Sequence, residues 1–364
     1  MKKLFSILLA GALAVVPAVA QTSTKLTATK ASDFGLVYTL PMTAFEVTLA
    51  VEKTVNTPGD FYQYARKYLN TEPIMKPSTT WHITEAVVNP VAVADEQQRY
   101  VASFKGGTGT FMMVSDENFP LSINDESYEA EVEPTPIPKA VAPAPTILQQ
   151  PVAQQAMTPE MIQSKSSAKR AQLAADKIYE LRTNRNDIIS GQADAMPSDG
   201  NAMKLALDQL AAQEAALTAM FLGTSQKSVE VRTYTVYLPD DPDGGRQIVA
   251  RLSALDGLVD ANDLSGDPIY ISIVPTSRGE LPTNDKGEAK SFPKGGVAYR
   301  IPGAARVTLT FDDKTLSEKE FDVAQYGVVF GLDPKLFTDR KAPAYLRFNP
   351  LTGAVRELGT LEKE

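Results

Sequence analysis

Cysteine is absent from the 364 residues, and histidine and tryptophan occur once each, as His82 and Trp81. Without thiols the chain has no disulfides, no thiolate zinc site, no iron–sulfur cluster and no lipid anchor on an N-terminal cysteine. One imidazole excludes a metal site built from several histidines, and no Gly-x-Ser-x-Gly elbow is present to make His82 part of a serine triad. We therefore predict a protein that is not an enzyme and binds no cofactor.

These absences leave open only sites built from oxygen ligands or carboxylates. Residues 240–244, Asp-Asp-Pro-Asp-Gly, could gather carboxylates around Ca²⁺. The loop lacks the spaced acids and closing glutamate of an EF-hand, and it lies where a hairpin needs a turn, so a turn is the favoured interpretation. Glycoside hydrolysis by two carboxylates also stays open, because spacing in the sequence does not report the distance between carboxylates.

Basic charge is scarce, with 36 Lys and Arg residues against 44 Asp and Glu. This balance argues against a nucleic-acid or anionic-lipid partner. The first twenty residues are typical of a secretory signal peptide: Lys2 and Lys3, an apolar run over residues 4–16, and a small-x-small site ending at Ala20. We expect cleavage after Ala20 and export to the periplasm or the periplasmic face of the outer membrane. Nothing later is apolar enough for a transmembrane span, so the mature chain should have none.

Two stretches predict antiparallel β domains, at residues 32–127 and 227–360. In the first, Phe45, Val47, Leu49 and Val51 alternate with more polar residues, as in a half-buried strand. In the second, a strand over 229–238 is predicted to turn at 240–245 and return over 248–252. Pro302-Gly303 is predicted to be a turn between two strands. The absence of βαβ alternation favours antiparallel sheets.

A short helix after residues 57–60 carries four aromatics, Phe61, Tyr62, Tyr64 and Tyr68. They could form a stacking platform for sugar rings. The favoured interpretation is a helix packed across a sheet, with its tyrosine hydroxyls at the wet edge.

Between the domains, residues 128–157 are rich in proline and are predicted to be a stiff, extended and unpacked linker. Residues 158–223 are predicted to form a long antiparallel helical hairpin between the two β domains, which makes the fold class α+β. Thr158-Pro159 begins its first helix, which would reach about 48 Å, and Gly191 ends it. Arg185 and Glu214 both face the partner helix, but the register places them about 15 Å apart, so Arg185 should find its partner elsewhere.

The second helix carries an additional stripe of small and apolar residues away from its contact with the first. A helix that is apolar on two sides is normally covered on two sides, by a β domain or by a partner protein. The predicted interaction residues of the hairpin are Arg182, Arg185, Leu205, Ala212, Ala216 and Met220.

Several short motifs follow one another along nearly the whole mature chain. They are Pro58-Gly59-Asp60-Phe61-Tyr62-Gln63-Tyr64-Ala65 with Tyr68-Leu69, Lys177-Ile178-Tyr179 with Arg182 and Arg185, Ser198-Asp199-Gly200, Tyr299-Arg300-Ile301-Pro302-Gly303, Val323-Ala324-Gln325-Tyr326-Gly327 and Phe348-Asn349-Pro350. Jointly they resemble a family of exported proteins from anaerobic Gram-negative bacteria, catalogued as a domain of unknown function. The resemblance implies location and architecture, but it brings no activity, substrate or catalytic residue.

The sequence thus favours a non-enzymatic periplasmic interaction or scaffold protein, such as an accessory of an outer-membrane complex, with a protein partner in the cell envelope. Two alternatives stay open: an envelope glycan-binding module and an unrecognised carbohydrate-active enzyme.

Overall fold

The structure is a computed structural model that describes residues 29–30, 36–104, 110–128, 134–195, 199–238, 246–339 and 341–361. The predicted signal peptide and the acidic loop at 240–244 lie outside the described residues. Strands dominate the described part, and every paired strand in its three sheets is antiparallel to its neighbour, as predicted.

The elements are numbered along the chain. The strands are β1 (Thr29–Lys30), β2 (Leu36–Thr57), β3 (Ser78–Ala102), β4 (Phe111–Val114), β5 (Pro120–Ile123), β6 (Thr224–Tyr237), β7 (Arg246–Ser253), β8 (Gly257–Asp260), β9 (Gly266–Ser277), β10 (Val297–Phe311), β11 (Lys314–Leu332), β12 (Ala344–Phe348) and β13 (Val355–Thr360). The helices are α1 (Ala65–Leu69), α2 (Pro151–Gln155), α3 (Pro159–Gln163), α4 (Ser167–Ser190), α5 (Gly200–Leu222) and α6 (Lys335–Thr338), with short 3₁₀ turns at Tyr62–Tyr64 and Ile147–Gln149. No helix in these ranges is long and apolar enough to cross a membrane.

Sheet 1 has the order β3-β2-β6, and its central strand carries the alternation seen in the sequence. Phe45, Val47, Leu49 and Val51 are buried in the core between sheet 1 and sheet 2, which has the order β11-β10-β9-β7-β8. The strand was predicted to be half-buried, yet the intervening Thr48 is buried as well. Both faces of β2 are therefore covered at Thr48, whereas Glu46 on the same face is exposed.

Two predicted turns differ in the structure. Pro302-Gly303 does not separate two strands: β10 runs through it and shifts register against β11 between Ile301 and Gly303, so the pair forms a β-bulge. A Cβ on Gly303 would lie 2.5 Å from the carbonyl oxygen of Ser277, so glycine lets the backbones approach closely here. The predicted return of β6 into β7 is also wrong, because β6 pairs with β2 and β7 pairs with β8 and β9.

The predicted division into two separate β domains needs correction. Sheet 3 has the order β1-β4-β5-β12-β13, so it joins strands from the first predicted domain to the last two strands of the chain. Sheet 1 likewise pairs β2 with β6. Residues 32–127 and 227–360 therefore share two of the three described sheets.

The proline-rich segment packs on sheet 1 instead of standing free. We call its described residues 134–146 the strap. The side-chain amide of Asn89 donates to the carbonyl oxygen of Thr135 (3.0 Å) and accepts from its N–H (2.9 Å). Further along, Val141 exchanges two backbone hydrogen bonds with Val229, both 2.9 Å. Because Asn89 lies on β3 and Val229 on β6, the strap crosses from one edge of sheet 1 to the other, and the predicted unpacked linker is incorrect.

The helical region is shorter and more divided than predicted. Thr158 caps α3 and Pro159 opens it, as expected, but the chain leaves the helix at Ser164 and is capped again at Ser166 before α4. The first long helix therefore has 24 residues and is about 36 Å long, not 48 Å. Its end at Gly191, in the left-handed conformation (φ +73°), is confirmed.

Candidate interaction surface on the helical pair

The helical pair consists of α4 and α5, which pack against each other and against the chain that precedes them. Ala174, Ile178 and Leu181 of α4 are buried in one cluster with Leu217 and Phe221 of α5. These are the positions that the spacing in the sequence assigned to the contact between the two helices. We call the part of the pair that contains these residues its base.

The carboxyl end of α5 is anchored by the segment that follows β2. The N–H of Phe61 donates to the carbonyl oxygen of Met220 (2.7 Å), and the N–H of Ile74 donates to that of Leu222 (2.9 Å). Carbonyls in the last turn of a helix lack partners within the helix, so these bonds satisfy groups that would otherwise be orphaned. A Cβ on Gly59 would lie 2.2 Å from the Met220 carbonyl oxygen, which explains a glycine at this contact. The base is thereby fixed to sheet 1.

The aromatic helix near residue 61 packs on the helical pair, not across a sheet as predicted. Phe61 is buried, and its ring centroid lies 5.4 Å from that of Phe221. The ring of Tyr68 packs edge-on against the ring of Phe221, with the centroids 6.5 Å apart. Tyr62 and Tyr64 are half-buried. The arrangement is that of a docked helix, and the aromatic surface does not form an open platform.

Arg182 and Arg185 of α4 both bind Glu214 of α5, which corrects the predicted 15 Å separation. Arg182 Nε lies 2.6 Å from one carboxylate oxygen, and Arg185 Nη1 lies 2.7 Å from the other. The prediction assumed that the two helices meet at one level. Arg185 lies five residues before the end of α4 and Glu214 lies fourteen after the start of α5, so their contact requires α5 to begin about 10 Å beyond the end of α4.

The carboxylate of Glu214 is the partly buried centre of this ion pair, since its side chain is 13% exposed against 40% and 34% for the two arginines. Replacing Glu214 with glutamine should lower the unfolding free energy by about 1–2 kcal/mol, because two charge-assisted hydrogen bonds become weaker ones. Thermal unfolding at low and high salt measures this, and the difference from wild type should shrink as salt screens the ion pairs. Asp208→Asn, which neutralises an exposed acid of the same helix, should leave the melting temperature unchanged. Equal effects of the two variants would contradict a stabilising role for Glu214.

The second stripe of α5 divides into a covered and an uncovered half. Ala216 and Met220 are buried, and α5 is contacted there by α2 and by the 3₁₀ turns at 147–149 and 62–64. Ala212 is half-buried and Leu205 is 64% exposed. The second helix is thus covered on two sides only near its carboxyl end, and by short helical segments of its own chain instead of a β domain.

The end of the helical pair farthest from the base carries several large apolar side chains but has no buried residue. We call residues 182–190 of α4 and 200–215 of α5 the distal half. None of these residues is buried. Six of them have large apolar side chains: Ile188, Ile189, Met203, Leu205, Leu207 and Leu210. Ile189 is 66% exposed. The offset between the helices helps to explain why these side chains are not buried, because no part of α4 lies beside the first turns of α5.

The residues that the sequence singled out for chemistry are His82 and possible metal ligands. His82 is exposed on β3. No cluster of three or more His, Cys, Asp or Glu side chains that could hold a metal occurs in the described ranges. The buried guanidinium of Arg300 pairs with Asp95 and donates to the carbonyl oxygen of Ala324 (3.3 Å).

A second charged cluster, on sheet 3, surrounds Arg347. Its guanidinium binds Asp125 at 2.7 Å and Glu357 at 2.9 Å. The bond from Arg347 and the hydrogen bonds from Ser127 outweigh partial burial, which acts the other way, and hold the pKa of Asp125 below its usual range. Sequence reasoning missed both clusters; only Arg300 carried a signal, as part of the Tyr299-Arg300-Ile301 motif.

The chain matches no curated protein and no solved structure. One family model does match, the one described as Domain of unknown function (DUF4831), over residues 34–356. That range contains the strap, the helical pair and all three sheets except β1 and the last residues of β13. The chain therefore belongs to the DUF4831 family, as the motifs in its sequence predicted.

Proposed function

We propose that the protein is a non-enzymatic scaffold of the cell envelope that holds a partner protein on the distal half of its helical pair. In this proposal α4 and α5 form an antiparallel hairpin whose base is fixed to the β sheets and whose far end is presented to the partner. The observation that carries the proposal is the group of large apolar side chains on the distal half, none of which is buried.

Physical chemistry supports this use of the distal half. Large aliphatic side chains gain about 1.5–3 kcal/mol each when they move from water into a packed interface. Grouped apolar residues on a soluble surface commonly mark an interaction site, whereas single ones need no explanation. Fixing the helices beforehand, by the Glu214 ion pairs and the anchored end of α5, lowers the entropy that binding must overcome.

Location and partner class rest on the sequence. The signal-peptide pattern over residues 1–20 supports export to the periplasm or the periplasmic face of the outer membrane. The excess of acidic residues favours a protein partner over a nucleic acid or an anionic lipid surface. A role as an accessory of an outer-membrane complex fits both.

The test is affinity isolation from native envelopes with the double variant Ile189→Glu/Leu205→Glu. Both side chains are largely exposed, so the isolated variant should melt within about 1 °C of wild type, since surface changes of this kind cost little stability. The same variant should lose at least about nine-tenths of its co-purifying protein, because two carboxylates would have to be desolvated in the interface.

Leu255→Glu is the matched control, because Leu255 is 83% exposed in the turn between β7 and β8, away from the helical pair. It should keep the partner. Full retention of the partner by the Ile189→Glu/Leu205→Glu variant would rule out the distal half as the binding surface.

A further inference from the structure

We propose that the free edge of β6, residues 231–237, pairs with the same edge of a second copy of this chain. The two copies would join antiparallel and extend sheet 1 across a two-fold axis.

The backbone of β6 presents open hydrogen-bonding groups at this edge. Val229 exchanges two hydrogen bonds with Val141 of the strap on the side of β6 that faces away from β2. Backbone groups alternate sides along a strand, so those of Val231, Thr233, Thr235 and Tyr237 point to that side as well. Among the described residues none of these backbone groups has a partner on that side. The strap thus forms backbone hydrogen bonds with this edge at one residue, Val229, and leaves residues 231–237 without such bonds from the described residues.

Among the described edge strands, β6 has the fewest features that oppose pairing with another strand. It pairs with β2 over fourteen consecutive residues without a register shift. Residues 231–237 contain neither proline nor glycine and a single charged side chain, Arg232. Natural proteins protect edges with bulges, prolines, charges or short strands.

The other described edges show such protection. β3 contains Pro90 and two register shifts against β2, and β11 carries a run of charged residues and two shifts against β10. β8 has four residues and β1 has two. β13 has six residues, among them Arg356 and Glu357. An unprotected, regular edge such as that of β6 is therefore a specific pairing site or a liability.

The residues of this edge fit a second copy of the same edge, because pairing centred on Tyr234 places its one charged side chain, Arg232, opposite an uncharged residue. In an antiparallel pair centred on Tyr234, Thr233 lies opposite Thr235 of the second copy, and Val231 lies opposite its Tyr237. Arg232 then faces Val236 of the second copy, so no like charges meet. Thr–Thr pairs and pairs of aromatic with β-branched residues are favourable across strands, and each pair of outward-facing residues exchanges two backbone hydrogen bonds.

The experiment measures the molecular mass of the purified full chain over a range of concentrations by sedimentation or light scattering. Wild type should form dimers that dissociate on dilution. Thr233→Lys/Thr235→Lys places like charges opposite each other twice and should raise the dissociation constant at least about tenfold. Thr233→Glu/Thr235→Lys places opposite charges there and should keep the dimer. Both variants lose the hydrogen bond between the hydroxyls of Thr48 and Thr233, and both place a lysine opposite Glu46 of β2, so residue 233 alone differs between them.

A wild-type chain that stays monomeric at every concentration, or bound only to an extended segment of another protein, overturns the proposal. So do double variants with equal dissociation constants. If the Lys/Lys variant does not fold, hydrogen exchange on wild type decides: the amides of Val231, Thr233, Thr235 and Tyr237 should be protected in the concentrated sample and exchange on dilution. Unprotected amides in the concentrated sample reject the paired edge.

Discussion

Replacing Ala216 with arginine should lower the unfolding free energy of the isolated protein by at least about 3 kcal/mol, through overpacking and burial of a charge. Ala216 has no exposed surface, and its neighbours Leu217, Met220 and Phe221 belong to a cluster that includes Ala156 and Met161. A guanidinium at this position has no acid to pair with in that cluster. Chemical denaturation of the purified protein measures the effect.

Ala212→Arg is the control for this prediction, because it lies one turn earlier on the same stripe and is half-buried. Its side chain can reach water, so the cost should be below about 1 kcal/mol. If Ala216→Arg unfolds like wild type, the short helical segments do not cover this face of α5. The stripe would then be available to a partner along its whole length.

Removing the acid beside Arg300 should have an effect of similar size. The side chain of Arg300 is 6% exposed and that of Asp95 is 19% exposed, and the pair joins β10 of sheet 2 to β3 of sheet 1. Asp95→Leu leaves the guanidinium buried without a counter-charge, which should cost about 3–5 kcal/mol. Denaturant unfolding, with its slope checked for two-state behaviour, gives the value.

The double variant Asp95→Leu/Arg300→Met separates charge from packing. Replacing a whole buried ion pair with apolar side chains is often neutral, so the double variant should regain most of the stability that Asp95→Leu loses. The Nε of Arg300 has no hydrogen-bond partner among the described residues, which favours this recovery. A double variant as unstable as Asp95→Leu would show that packing around Arg300, not its charge, holds the two sheets together.

Helix ends were predictable because capping is local. Thr158, Pro159 and Gly191 each act within a few residues along the chain, and the structure uses all three as expected. Asp199 caps α5 in the same local way. The break at Ser166 is the exception: its hydroxyl caps α4, but the surrounding residues read as one continuous helix.

Pairing between distant segments was not predictable. Pro302-Gly303 has the composition of a turn, and only its neighbours on β9 and β11 show that the chain continues as a bulged strand. The Arg185–Glu214 bond depends on the offset between α4 and α5 along their axes, which no local pattern fixes. Asp95 and Arg300 are separated by 205 positions, and nothing in a single sequence joins them.

Of the predicted interaction residues, the structure brings Arg182 and Arg185 together on Glu214 and buries Ala216 and Met220 within the chain. Leu205 is the most exposed of the six. Helical periodicity identified the apolar stripe correctly as a stripe. It could not tell which half the chain itself would cover, because the covering residues 147–155 lie in a segment that composition assigned to an unpacked linker.

The sharing of sheets between the two ends of the chain has a consequence for folding. β5 pairs with β12, which lies more than two hundred residues later in the chain, so sheet 3 cannot be completed until β12 is available. In the same way, β2 cannot complete its pairing in sheet 1 before β6 is available. Such long-range pairings close large loops and make folding slow. A chain emerging end first would expose the unpaired edges of β2 and β5 until its last strands arrive. During that interval α4 and α5, whose hydrogen bonds join neighbouring residues, can fold first and provide a surface on which the sheets assemble.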